Sequence, residues 1–267
     1  MNEKLWEQIE MDTLTSRLHA IGNRPNNPLG VSIQSFGQTM AYTVKNIPGP
    51  AFNVIKGFCA EDELLLDKII DWYDEKHIPA RFEIAPSHYS RSLLKALHKR
   101  GFYQTDFHTT LYKQLPDTIK PVNHAIEIRT LRQDEFQTFA DIYIQGFQMP
   151  SFLLEDVAQN NAVLYPLPEW KFYLTLVNHE PAGIGVLFCN EKGANLAAAA
   201  TLPAFRQKGG QSALIQQRMQ HAQEIGCKWI AGQASYGSVS QRNMERAGMR
   251  VAYTKAIWVR DEIIKRK

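Results

Sequence analysis

A short run in the second half of the chain, TLPAFRQKGGQSAL (201–214), gathers the residue types best suited to chemistry. A strand-like segment enters it, Arg206 and Lys208 supply two cations, Gly209 and Gly210 follow, and a helical pattern opens at once. The first-turn amides of a helix have no intrahelical partner, and glycine permits close backbone approach. The arrangement therefore suits an anion such as a pyrophosphate. The same composition also suits a basic, glycine-softened surface turn. A Walker-type phosphate loop is excluded, because no Gly-x-x-x-x-Gly-Lys-Ser/Thr spacing occurs.

Other reactive side chains form no comparable cluster. The eight histidines are scattered, and no Cys-x-x-Cys, His-x-x-x-His or acidic calcium loop is found, so no metal is expected. Cys59, Cys189 and Cys227 are odd in number and far apart, which fits reduced thiols. No general base stands out. Glu169 and Glu191 read as solvated residues at strand ends.

The elements that must position the loop follow from periodicity. Residues 126–131 alternate at period two and place the start of a new sheet at Ala125. A helical pattern then runs through Phe136, Phe139, Ile142 and Gly146, with Asp134 placed to cap it. Residues 171–177 and 183–189 read as a hairpin joined by 178–181. Residues 195–202 are ambiguous, since four alanines favour a helix while their surroundings favour a strand. A helix over 209–225, a strand over 228–234, a short helix over 239–247 and a strand over 251–259 complete this half.

The two halves share a register. An offset of 147 separates Phe58 from Phe205 and again Gly101 from Gly248, with helix, strand, helix and strand between the landmarks in each half. This reads as a duplication. The prolines Pro116 and Pro121 mark a linker, giving domains at 1–118 and 119–267. Opposite the 206–211 loop, the first half has Cys59-Ala60-Glu61-Asp62-Glu63-Leu64, with three acids and no glycine. Carboxylates would repel a polyphosphate, so this copy is expected to bind none.

The 201–214 run resembles the pyrophosphate-binding signature of the GNAT N-acetyltransferase superfamily through Pro203, Phe205, Arg206 and Gly209. The order of elements over 125–258 is similar to that fold as well, including Gly248-Met249 before the last strand. The resemblance implies an α/β (α+β) chain of tandem GNAT-like domains, each a twisted, mixed, mainly antiparallel sheet flanked by helices, the first a degenerate copy. It implies acetyl-CoA as co-substrate, without a metal, held by Ala199, Thr201, Leu202, Arg206, Gln207, Lys208, Gly209, Gly210, Gln211, Ser212 and Asn243. The alanine run then leaves room for the acyl group, or simply packs closely against a helix. Two positions depart from the pattern. Gln211 stands where the family has glycine or alanine, and Met244 stands where it often has a tyrosine that protonates the leaving thiolate. Tyr236 is a substitute acid or a rim aromatic.

The implied activity is acyl-CoA-dependent N-acyl transfer to a small-molecule or peptide amine by direct attack on the thioester. The alternative is a non-catalytic acyl-CoA-binding or regulatory module. A lysine-like pKa of ~10.4 leaves about one amine in 2,500 neutral at pH 7, a demand of roughly 4.6 kcal/mol. Phe147, Met149, Phe152 and Leu153 would line the acceptor side by resemblance, although each singly reads as a buried packing residue. The 267 residues carry a net charge of only +3 with 44% hydrophobic residues, which argues against a dedicated nucleic-acid binder and against disorder. No apolar run reaches the ~18 residues of a membrane span. The opening residues do not read as a secretory leader, so a cytoplasmic protein is expected, for which a homodimer is admissible.

Overall fold

The computed structural model describes residues 3–47, 49–116 and 126–261. The boundary expected at 118/119 and the sheet start expected at Ala125 lie outside them. Along the chain run α1 (Glu3–Gly22), β1 (Val31–Phe36), β2 (Thr39–Val44), β3 (Val54–Lys56), α2 (Leu66–Asp74), β4 (Arg81–Ile84), α3 (Arg91–Lys99) and β5 (Phe102–Gln114). Then follow β6 (Glu127–Thr130), α4 (Phe136–Gly146), α5 (Leu154–Ala162), β7 (Trp170–Val177), β8 (Glu180–Asn190) and β9 (Gly193–Thr201). The chain continues with α6 (Gly210–Glu224), β10 (Trp229–Ser235), α7 (Val239–Arg246) and β11 (Arg250–Arg260).

Two compact units result: residues up to Thr110 together with those from Ala252 onward, and Leu111–Val251. In the first unit, β1, β2 and β3 form an antiparallel meander, and β3 pairs in parallel with β4 at Ile55↔Phe82. Phe58, Leu66, Ile69, Tyr73, Phe82, Leu97 and Phe102 pack as its core. Ser90 caps α3 by accepting from the Leu93 amide at 3.0 Å. A 3-10 turn, Ala60–Leu65, carries the three acids and leads directly into α2 at Leu66.

The second unit repeats this plan. β6, β7, β8 and β9 are antiparallel, and β9 pairs in parallel with β10. The β7–β8 hairpin turns on Asn178 and His179 alone, both at positive φ (52° and 66°), which is the tight type I′ geometry rather than the four-residue loop expected. Leu187, Leu196, Leu214, Ile215, Met219, Ile230 and Met244 form the core. The alanine run is a strand: its β8 partners outweigh helix propensity, as a two-sided sheet position does. The cap expected at Asp134 is a correction: a 3-10 turn over Gln133–Glu135 delays α4 to Phe136, no side chain caps α4, and the Glu135 carboxylate instead closes the 3-10 turn by accepting from the Arg132 amide at 2.8 Å.

The element order β1-β2-β3-α2-β4-α3-β5 thus recurs as β7-β8-β9-α6-β10-α7-β11. Gly101 and Gly248 open the two closing strands with nearly the same φ, 82° and 80°. The closing strands are exchanged, however. The neighbour of β4 is β11, at Ala256↔Ile84, while the end of β5 runs beside β10, where the Leu115 amide donates to Lys228 O at 2.9 Å.

Lys255 of β11 enters a buried charge cluster in the first unit. Its Nζ lies 2.6 Å from Glu10 Oε1 and 2.7 Å from Glu83 Oε2, and Lys56 bridges the same two carboxylates. Burial alone would raise the carboxyl pKa values. The ammonium groups of Lys255 and Lys56 outweigh it and hold both Glu10 and Glu83 below their ordinary range.

Candidate functional site

The site begins where two parallel strands part. β9 and β10 are in register through Ala194, Asn195 and Leu196, opposite Ile230, Ala231 and Gly232. At Gly232 a Cβ would lie 2.7 Å from Met244 Sδ and 3.4 Å from Leu196, so glycine admits the side chains that crowd in at this point. Beyond it β9 continues as Ala197, Ala198 and Ala199, half-buried, toward Thr201.

A groove of about 770 Å3 opens there, within the range of small-molecule sites. Ala199, Ala200 and Thr201 of β9 form one wall, and Arg206, Gln207, Gly209, Gln211 and Ser212 of the loop form another. Gly146 at the end of α4 and Val239, Ser240, Asn243 and Arg246 of α7 complete it. Of the residues expected to bind, Ala199, Thr201, Arg206, Gln207, Gly209, Gln211, Ser212 and Asn243 meet here. Leu202, Lys208 and Gly210 are not among the lining residues, and neither is Tyr236, which is 67% exposed.

Gly209 caps α6 in the left-handed region (φ 83°), and a Cβ there would meet only Ile126 Cδ1 at 3.6 Å. Glycine is thus required by backbone conformation rather than by space. Gln207 shares this region at φ 63°. The first α-helical bond of α6 runs from the Ala213 amide to Gly209 O at 3.1 Å, which leaves the amides of Gly210, Gln211 and Ser212 at the open helix end. Arg206 Nη2 donates to Gly146 O at 3.0 Å, and Lys208 Nζ stands 4.9 Å from the Phe205 ring centroid. Arg246 donates to Asn243 Oδ1. Arg246 is absent from the sequence-based set, although its i, i+3 spacing from Asn243 puts both on one face of α7.

Among the described residues, the lining holds two guanidinium groups and no acid. Gln211 Oε1 is buried with no hydrogen-bond partner among the described residues, an acceptor open to a donor on a ligand. An open helix end and two guanidinium groups fit a phosphate-bearing ligand. Met244 is only 4% exposed and packs in the core, so its position could present no proton donor to the groove. Phe147 and Phe152 are exposed at 49% and 79%, against the buried packing expected of them. Glu169 and Glu191 do not line the groove.

The corresponding stretch of the first unit is filled by its own anion. The Asp62 carboxylate accepts from the amides of Gln38 and Thr39, each at 2.9 Å, and from Thr39 Oγ1 at 2.7 Å. It is buried against Gly37, where an added Cβ would meet it at 1.9 Å.

Solved structures with this architecture include proteins of unknown function as well as GCN5-related N-acetyltransferases. One, from Kribbella flavida, is 13% identical, with a TM-score of 0.61 over 93% of this chain and 94% of its own. Another, from Sphaerobacter thermophilus, is 15% identical, with a TM-score of 0.62 over 92% and 91%. A tandem GNAT protein from the clavulanic acid biosynthesis pathway is 9% identical, with a TM-score of 0.61 over 93% and 94%. The chain has a tandem GNAT fold. No family model and no curated protein matches the sequence. Among the described residues of this GNAT-fold chain, no helix is long and apolar enough to cross a membrane, and no His/Cys/Asp/Glu group could hold a metal ion.

Proposed function

We propose that the Leu111–Val251 unit binds acetyl-CoA and transfers its acetyl group to a primary amine of a small molecule or peptide. The observation that carries this reading is the groove at the β9–β10 parting, closed by the open helix end of α6 and lined by two cations without an acid. When bound, acetyl-CoA supplies an acyl carbon already activated by a thiolate leaving group. The amides of Gly210, Gln211 and Ser212, with Arg206 and Arg246, hold its phosphates. The half-buried alanines of β9 leave space beside an edge whose registered pairing with β10 has ended, where backbone amides can meet the pantetheine and thioester. Exposed Phe147 and Phe152 supply apolar contact for an acceptor that carries a hydrophobic body beside its amine.

Titration of the protein with acetyl-CoA tests the reading, with one site per chain expected. Gly209→Glu sets a carboxylate at the helix end and should weaken binding more than tenfold. Gly209→Asn tolerates positive φ without the charge and should stay within threefold. Equal affinities for the two variants would refute the loop assignment.

A second reading is a non-catalytic acyl-CoA-binding module. It is favoured by the lack, among the described lining residues, of any Asp, Glu, His, Tyr or Cys that could take a proton from an amine. Binding without release of free CoA thiol over a panel of amines would select it.

A further inference from the structure

Arg218 stands on α6 with only 1% of its surface exposed, and no acid pairs with it among the described residues. Burial pushes its pKa down to about 10, yet it stays charged at neutral pH. Its donors go to backbone carbonyls: Nε to Leu214 O at 3.2 Å, and Nη1 to Val186 O at 3.2 Å and Ala198 O at 3.1 Å. Val186 and Ala198 are opposite one another across β8 and β9 at a register shift. The next pair is Leu187↔Leu196, so Ala197 is the extra residue of a β-bulge. That bulge begins one residue beyond Leu196↔Gly232, the last registered pair of β9 and β10. A buried cation without a counter-ion thus sits behind the point where β9 turns its edge to the groove.

We propose that Arg218 is a positioning residue for acyl transfer, which fixes the bulge peptides so that the Ala199 N–H faces the groove as donor to the thioester carbonyl. The assignment rests on the acetyl-CoA reading above. In a trans peptide the C=O and the following N–H point in opposite directions, and no cis bond occurs in the described chain. Ala198 O is held by Arg218, so the N–H of the same peptide, that of Ala199, is directed away from the guanidinium, and Ala199 lines the groove. The fixed positive charge on the carbonyl side polarises this peptide and strengthens its N–H as a donor. Negative charge that develops on the thioester oxygen during amine attack then meets a donor already in place.

The test uses the full chain, CoA, and acetyl-CoA labelled with carbon-13 at the carbonyl. In the wild type, the bound carbonyl stretch should lie at lower wavenumber than that of the free thioester. Arg218→Met has similar length but neither charge nor donors. It should keep its CoA dissociation constant within twofold while losing at least half of that displacement. Arg218→Lys retains the charge but not the planar fork and should fall between them; should Arg218→Met not fold, Arg218→Lys decides alone. A folded Arg218→Met, or failing that Arg218→Lys, with the full wild-type displacement overturns this assignment and leaves the acetyl-CoA reading intact. A wild type that binds neither CoA nor acetyl-CoA overturns both.

Discussion

Glu7 and His88 illustrate how single residues tune the first unit. Their side chains form a mostly buried ion pair, and the hydrogen bond from His88 to Glu7, opposed by burial, raises the proton affinity of the imidazole. A raised histidine pKa gives stability that is fully present below the unfolded value of ~6.5 and is lost as pH rises through the folded value. Glu7→Gln should therefore lower the thermal midpoint by several degrees at pH 6 and by much less at pH 9. An equal loss at both pH values would mean that the pair contributes no proton linkage. Nothing in the spacing of residues 7 and 88 announces this contact. By contrast Arg206, Gln207, Gly209, Gln211, Ser212 and Asn243 were legible, because one short loop and one helix face bring them together. Gln207 at positive φ was not, since glutamine gives no local sign of that conformation.

At the scale of elements, α4 and β9 approach as closely as their small residues permit. A Cβ on Gly146 would lie 2.7 Å from Ala200 Cβ and 3.4 Å from the Thr201 amide. Alanine normally stabilises a helical position by roughly 0.5–1 kcal/mol over glycine. Overpacking at a closed contact costs about 1–3 kcal/mol, and here it should win. Gly146→Ala should lower the midpoint and, by displacing β9 at the groove wall, weaken CoA binding; a more stable variant with unchanged affinity would show that β9 yields freely. Most elements of the second half were readable from period-two and helical patterns. The alanine run 197–200 was not, because propensity and tertiary pairing disagree there and only the β8 partners decide. The Asp134 cap failed for a related reason: adjacent acids compete for one turn, and Arg129 and Arg132 select Glu135.

Across the whole molecule the repeat was visible in the offset of 147, while the exchange of closing strands was not. Sequence periodicity is silent on which neighbour β5 and β11 each take. Lys255 makes the exchange energetically specific. Its removal leaves Glu10 and Glu83 with Lys56 between them and Arg81 3.9 Å from Glu83, and breaking such a buried set costs about 3–5 kcal/mol. Lys255→Met should lower the thermal midpoint by roughly 6–20 °C at pH 7. The deficit should shrink toward pH 4–5, where the orphaned carboxylate protonates. A deficit that grew with acidification would contradict this account.

That cluster also imposes an order on biosynthesis. Glu10, Lys56 and Glu83 leave the ribosome early, yet the strand and the ammonium group that complete their surroundings are made only at residue 255. The first unit must wait, with two carboxylates sharing one lysine and the edge of β4 uncovered, while the whole of the second unit is translated. The sheet of the first unit is therefore completed last, by a strand made after the second unit.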